Sequence, residues 1–433
     1  VRLAGLLLSF LLLAQSAPAQ TLLLRDAILI DGTGAPARHI ENMLIENGRI
    51  TGFFDVILEE VPFDREIDLK GAWIIPGLID AHVHLSGFDG DRREMQDRLE
   101  RALRGGVTAV RDMAGDARVL KDTVDGLRQG DYLGPEIVYS GLVGGPDMFD
   151  DPRVLEASQG YEAGTAPWLR AYHAGDDADR IMEEIKHTGA RAVKLYGNLN
   201  PEAVRILIPA ARRAGLMTWA HATTFPARPS DLVEAGVDVL SHSAYFVWQA
   251  VLDVPDDYNA RKNGPYSEYD PDSENYRMLV ARMAQDKVLL DATLFVYYAY
   301  EKESGSLPAV GSTDTAFGWA AAFTALAHEA GVRIATGTDA LLSEKKQEQD
   351  ALPYLHSELE LLVRHAGLTP LEALVAATRN SAEAAGLLEE HGTLEAGKIA
   401  DLVVLNADPL RDIRATRDIR LVIRAGQVVE PDE

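Results

Sequence analysis

Residues 78–85 read LIDAHVHL. The run follows Gly77, is apolar apart from Asp80 and two histidines, and has the length of a single buried strand. His82 and His84 sit two apart near its end, so the period of two in an extended chain sends both imidazoles to one side. Seven more runs of this texture follow: TAVRDM (108–113), EIVYSG (136–141), AVKLYG (192–197), MTWAHA (217–222), VDVLSHS (237–243), VLLDATL (288–294) and RIATGTD (333–339). Helical stretches lie between them, such as MQDRLERALRGG (95–106), ADRIMEEIKHTG (178–189), PEAVRILIPAARRAG (201–215) and TAFGWAAAFTALAHEAG (315–331), each stopped by glycine. Eight βα units over about 260 residues have the size and rhythm of a (β/α)8 TIM barrel. A doubly wound sheet is the alternative, but no phosphate-binding glycine fingerprint follows the first strand. Helical patterns at 355–367 and 369–386 come after the eighth strand and are expected to pack outside the barrel.

Both chain ends have a different texture. From Thr21 to Pro76 short strand-like runs alternate with turn signals, and the last forty residues repeat the pattern in GTLEAGKIADLVVLNADPL and IRLVIRAGQVVE. Neither end has enough strands to bury a face alone, so one β-sandwich assembled from both termini is expected. The predicted organisation is a signal peptide over 1–20, the N-terminal part of the sandwich over 21–76, the barrel over 77–390 and the C-terminal part of the sandwich over 391–433.

Composition sets further bounds. At 433 residues, with 47% hydrophobic and 25% charged, the chain is globular and large enough for a barrel with an accessory module. Acidic residues (67) outnumber basic ones (42), and the net charge of -25 disfavours nucleic acid and anionic lipid as partners. There is no cysteine, which removes disulfides, thiolate nucleophiles and Cys-ligated metals together. The first twenty residues place Arg2 before an apolar run from Leu3 to Ala14 and end in A-P-A at Ala17–Ala19. That is the form of a secretory signal cleaved near Ala19, and the run is well short of the ~20 residues of a spanning helix. A periplasmic or secreted protein without a membrane anchor is expected.

Unusual polar residues fall at the ends of the predicted strands. His82 and His84 end the first, Lys194 the fourth, His221 the fifth, His242 the sixth and Asp339 the eighth. In a (β/α)8 barrel the C-terminal strand ends converge on one point, so these groups are expected to meet. Four imidazoles and a carboxylate suit zinc or a similar ion without thiolate. The other histidines, His39, His173, His187, His328, His356, His365 and His391, fall in loops or helices, where surface or helix-end roles are expected. Tyr196 and Tyr245 are the leading candidates for substrate contact, with Phe246, Trp248, Tyr297 and Tyr298 as further rim aromatics. Arg111 and Asp112 at the end of the second strand read as a structural ion pair. The turn-rich segment 249–275 is acidic, a candidate lid that biases the mouth toward neutral or cationic substrates.

PGLIDAHVHL, AVKLYG, WAHA, DVLSHS and ATGTDA resemble the metal-binding segments of the amidohydrolase superfamily, and GKIADLVVLNADPL resembles its C-terminal sandwich strand. The similarity covers nearly all of the chain and is strongest to the imidazolonepropionase-like and Xaa-Pro or Xaa-Arg dipeptidase branch. The fourth-strand segment departs from that branch in reading KLYGNLN, without the Ser-Gly-Gly of several dipeptidases. The resemblance implies that His82, His84 and Asp339 ligate one divalent ion, His221 and His242 a second, and that a carboxylated Lys194 bridges them. A single zinc with an unmodified Lys194 is the alternative. An ammonium beside two dications is unfavourable, whereas its carbamate is an anion with two oxygens. Two such ions lower the pKa of bound water toward ~7 and polarise a carbonyl, and Asp339 is placed to pass a proton to the leaving nitrogen. The expected activity is hydrolysis of the C–N amide bond of a small molecule, a dipeptide or an N-acyl amino acid first. Esterase, lactonase, phosphotriesterase or cyclic-amide hydrolysis at the same site is the alternative, and a catalytically dead scaffold is a third reading. A homo-oligomer is left open.

Overall fold

The computed structural model describes residues 21–55, 63–86, 92–342 and 352–429. The expected signal peptide, 1–20, lies outside the described residues. No helix among the described residues is long and apolar enough to cross a membrane.

Eight parallel strands form the barrel: β5 (Leu78–Val83), β6 (Val107–Asp112), β7 (Glu136–Gly144), β10 (Ala192–Leu195), β11 (Met217–His221), β12 (Val239–Ser241), β13 (Leu289–Asp291) and β14 (Ile334–Ala335). A small hairpin, β8 (Thr165–Ala166) and β9 (Leu169–Ala171), pairs alongside β7. The ring closes between β14 and β5, where Ala81 N donates to Thr336 O (2.8 Å) and Asp339 N donates to His82 O (2.8 Å). Around it lie α1 (Arg92–Arg104), α2 (Ala117–Gln129), α3 (Pro152–Ala157), α4 (Ala178–His187), α5 (Pro201–Ala214), α6 (Pro229–Ala235), α7 (Glu274–Asp286), α8 (Leu294–Ser304), α9 (Ala316–Glu329) and α10 (Leu355–His365). Their start signals are local. Asp116, Asp177 and Asn200 cap α2, α4 and α5 with side-chain oxygens, and left-handed Gly130 and Gly215 stop α2 and α5.

The barrel interior is a packed layer of Ile79, Ala81, Ala109, Val138, Trp219 and Val239 with their neighbours. The stretch expected outside the barrel behaves differently: α11 (Pro370–Val375) and α12 (Ser381–Ala384) flank a π-turn, and Ala382, Ala384 and Ala385 belong to the interior cluster. Three alanines are small enough to seat the chain against the N-terminal ends of the strands, so this segment plugs the barrel floor.

The two chain ends form one further domain. Its sheet has seven strands in the order β17 (Gln427–Val429), β16 (Ile419–Arg424), β15 (Leu402–Leu405), β4 (Arg65–Pro76), β1 (Thr21–Leu29), β2 (Arg38–Glu46) and β3 (Arg49–Phe54). It is one continuous hydrogen-bonded sheet, and the domain is assembled from both chain ends as expected. Register breaks in β1 at Asp26 and in β4 at Lys70-Gly71, all three at positive φ, bend it. Leu22 and Leu24 before the break and Ala27 and Leu29 after it consequently share one core with Leu69, Ile74, Leu402 and Val404. Arg424 fastens this domain to the barrel, donating to Asp401 (3.0 Å) and to Glu136 (3.0 Å) at the start of β7.

Candidate metal centre

The pairing of β5 with β6 slips between Asp80 and Val83, and this bulge decides where the first two histidines go. Ile79 and Ala81 face the barrel interior, and the extra residue reverses the alternation so that His82 and His84 face it as well. His82 Nε2 lies 3.4 Å and His84 Nε2 3.2 Å from Asp339 Oδ1. The three residues each offer a ligand atom within 4.8 Å of the others, a cluster that could hold a metal ion. Asp339 reaches this point by a backbone at φ 60, and His242 by one at φ 72, both unusual for residues with a Cβ. Asp80 stabilises the turn, its carboxylate accepting from His82 N (3.2 Å), Thr338 N (3.1 Å) and Thr338 Oγ1 (2.6 Å). Gly337 makes the approach feasible, because a Cβ there would stand 2.3 Å from Asp291 Oδ1 and 2.5 Å from the His82 Cβ.

The remaining predicted groups gather around this cluster. The His242 ring lies 4.6 Å from that of His82 and 4.8 Å from that of His221. Lys194 Nζ is 5.1 Å from the centroid of Tyr196, whose ring is 4.3 Å from His221. Tyr245 stands 5.0 Å from His242 and 5.3 Å from His221. His84, Lys194, Tyr196, His221, His242, Tyr245 and Asp339 all line one cavity of about 350 Å³, and His82 lies buried beneath it.

The donor set fits a metal. His82 Nε2, His221 Nδ1 and Lys194 Nζ are buried and have no hydrogen-bond partner, a costly state for polar atoms unless something else ligates them. Burial first, and then the neighbouring Lys194 charge, pushes His82 and His221 well below the ordinary imidazole range, and burial does the same to His242. Burial alone would raise Asp339, but His82, His84 and His242 outweigh it and hold the carboxyl below the usual range. Neutral imidazoles and an ionised carboxylate are the forms that bind a divalent ion. Burial lowers the Lys194 amine to about 8, against the pull of Asp339.

Asp291, at the end of β13, is the functional residue missed in the sequence. Its Oδ2 accepts from His82 Nδ1 (2.6 Å), Arg111 (2.8 Å) and Ser241 Oγ (2.8 Å), all fully buried. This fixes the His82 ring so that Nε2 points at the cluster. The signal was an acidic residue inside an apolar strand, VLLDATL. His242 is oriented likewise, through Nδ1 to Thr293 Oγ1 (2.9 Å). Arg111 is structural, but its carboxylate is Asp291 rather than Asp112, and it stacks on Trp219 at 4.6 Å. Asp112 instead accepts from Leu85 N (2.6 Å).

Loops close the mouth. The 249–275 segment is ordered and carries short 3-10 turns at Tyr258–Asn263 and Tyr266–Glu268. Its acidic residues Asp253, Asp256, Asp257 and Glu268 are exposed, while Tyr258 and Arg261 are buried. Arg261 lines the cavity, so the face this segment turns to the site is cationic, contrary to the expectation from its composition. Opposite, Asp151 holds Arg153 (2.8 Å) and accepts from the Tyr258 hydroxyl, clasping the two loops together. Of the rim aromatics, Tyr297 sits 6.4 Å from His242. Phe246 and Trp248 are core, stacking on Phe323 and packing on Phe225, and the half-buried Tyr298 packs on Phe317. Two histidines expected at the surface are also buried. His356 bonds Thr416 Oγ1 (2.9 Å) and Gly105 O (3.0 Å), and His391 bonds Asp401 (2.9 Å).

Comparison with known proteins shows the family. The Amidohydrolase family model matches residues 73–429, and the chain belongs to that family. It is 29% identical over 406 residues to an imidazolonepropionase of Symbiobacterium thermophilum, covering 88% of this chain and 86% of the relative. It is 24% identical over 461 residues to an ochratoxinase of Aspergillus niger, covering 95% of this chain and 86% of that one. Among solved structures, a Xaa-Pro dipeptidase with methionine bound in its active site superimposes with a TM-score of 0.71 at 19% identity, over 95% of this chain and all of that one. The protein is thus a hydrolase acting on C–N bonds of small molecules.

Proposed function

We propose that the cavity is a two-metal amidohydrolase site that cleaves the amide bond of a dipeptide or an N-acyl amino acid. The observation that carries this is Lys194: a fully buried amine without a hydrogen-bond partner, on the same cavity as three imidazoles and Asp339, with His82 buried beneath them. In this reading His82, His84 and Asp339 would hold one ion and His221 and His242 the other, both of them zinc. Lys194 would be a ligand to both as its carbamate, for which the neutral amine adds carbon dioxide, forming an N–C bond and releasing a proton. The ions would supply Lewis acidity toward the scissile carbonyl and a water of lowered pKa. Asp339 takes the proton of the attacking water on its carboxylate and delivers it to the leaving nitrogen, without which an amine leaves poorly. Tyr196 and Tyr245, flanking His221, enclose the scissile group and exclude bulk water. The segment 1–20 directs export to the periplasm or the medium.

Metal analysis of the purified protein is expected to find two ions per chain, with loading that depends on bicarbonate. A single ion that survives Lys194→Ala overturns the bridge and favours the second reading, one ion on the compact His82, His84 and Asp339 cluster. Amine release from dipeptides and N-acyl amino acids tests the reaction, and turnover confined to esters or phosphotriesters overturns it. Export is tested by N-terminal sequencing of protein recovered outside the cytoplasm, which should begin near Gln20. Full-length chain retained in the cytoplasm contradicts it.

A further inference from the structure

One helix of the barrel wall begins at the metal centre. α8 starts directly after Thr293, whose hydroxyl meets the His242 ring at Nδ1 (2.9 Å), and its Tyr297 stands 6.4 Å from the same ring. A threonine in that place ordinarily turns its oxygen onto the first free N–H groups of the helix. Here the hydroxyl is committed to His242, and Thr293 makes no side-chain cap. The cap comes from another element instead. Glu358 of α10 is fully buried, and its two carboxyl oxygens accept from Leu294 N (3.0 Å) and Phe295 N (2.6 Å), the first two N–H groups of α8. Burial pushes this carboxyl up, against the pull of the two bonds.

Thr293 is held under strain. Its φ of 50 and ψ of 44 are left-handed, a conformation that a β-branched residue keeps only where its surroundings over-determine it. The N–H of Leu294 belongs to the peptide bond that leaves Thr293, so Glu358 grips the backbone next to the hydroxyl it frees. α10 is itself anchored at this end: Tyr354 N donates to Leu341 O (3.0 Å) in the turn after Asp339, and the Tyr354 ring stacks on Phe295 at 4.3 Å. A second buried acid makes the same kind of cap elsewhere. Glu301, near the far end of α8 and about 12 Å along the helix axis from Thr293, accepts from Phe317 N (2.9 Å) and Thr315 Oγ1 (3.0 Å) at the start of α9.

We propose that Glu358 is a positioning residue of the metal centre: by capping α8 in place of Thr293 it leaves the Thr293 hydroxyl to fix the His242 ring, with Nε2 toward the ion. The inference rests on the two-metal reading above and deepens it. The first readout is zinc affinity, measured by competition with a chromophoric chelator, for the ion that His242→Ala loses. Glu358→Met, which removes both acceptors, should weaken that ion by about ten- to hundredfold, the range for a group that orients a ligand. Glu358→Gln keeps one acceptor and should recover part of the loss. Thr293→Val should match Glu358→Met, and the double variant should be no weaker than the worse single one, as for two groups acting through one contact. Glu301→Met is the control, and it should lower the melting temperature without changing zinc affinity. The second readout needs no metal. Nitrogen NMR of histidine-labelled, metal-free protein should show His242 as one tautomer in the wild type and as an average of two in Glu358→Met. Unchanged zinc affinity and unchanged His242 signals in folded Glu358→Met overturn the proposal, as does an equal loss of zinc in Glu301→Met. If Glu358→Met does not fold, the same criteria are applied to Glu358→Gln. If the wild type holds a single ion that His242→Ala leaves in place, the two-metal reading falls and the His242 signals alone decide the role of Glu358.

Discussion

The floor of the cavity and its mouth are held by different means. On the floor a chain of buried partners backs much of the site: His82 is held by Asp291, Asp291 by Arg111 and Ser241, His242 by Thr293, and the Asp339 turn by Asp80 through Thr338. At the mouth one carboxylate, Asp151, ties two loops, and Arg261, which lines the cavity, rests on an aromatic ring. Over-determination suits groups whose misplacement by an ångström costs orders of magnitude in rate. Sparse fastening suits groups that select among substrates, because a loop can change without disturbing the chemistry beneath it.

That contrast can be broken by mutation, and the largest effect is expected on the floor. Asp339→Asn should leave the fold in place and reduce kcat by about 10²- to 10⁴-fold; near-normal turnover would remove Asp339 from the proton path. Asp291→Ala comes next. It leaves the fully buried Arg111 without its carboxylate, a change of about 3–5 kcal/mol, and frees the His82 ring, so denaturant unfolding and metal retention should both suffer. If only metal retention changes, the Arg111 link is not structural. Removing the metals with a chelator should lower the melting temperature by roughly 3–8 °C, as loss of a ligand specific to the native state does, and re-addition of zinc should restore it.

The smallest effect is expected at the clasp. Asp151→Asn should cost roughly 1 kcal/mol or less at pH 7, since Arg153 is solvent-facing. The hydrogen bond from Arg153 is the main reason that the Asp151 carboxyl is held below its ordinary range. Its contribution is therefore complete above the unfolded value of about 4 and is lost as the pH falls toward the depressed one. The stability gap between wild type and Asp151→Asn should close on acidification below about pH 4. A gap that widens there would show that the clasp is not ionic.

The same contrast explains what could be read from the sequence. All eight barrel strands were legible, and so was the gathering of His82, His84, Lys194, His221, His242 and Asp339 at one end of the barrel, because strand ends in this architecture converge whatever the loops do. The bulge between Asp80 and Val83 was not legible, since it follows from closing β5 against β14. Nor was the partner of Arg111, which stands 180 residues away while Asp112 is adjacent. The burial of His356 depends on Gly105 and Thr416, two segments that only the fold brings together. Composition misled most at 249–275, because a segment's net charge is silent about which side chain it turns inward.

One feature of the accessory domain bears on how the protein is made. β4 pairs with β15, Pro76 opposite Leu402, so a strand translated early waits for one translated near the end. At ordinary elongation rates that interval is on the order of tens of seconds, during which the apolar edge of β4 is open to any strand that meets it. The barrel can assemble in the meantime, but the seal between its two flanking segments forms last. A nascent chain that stalls before residue 402 lacks the strand that covers that edge.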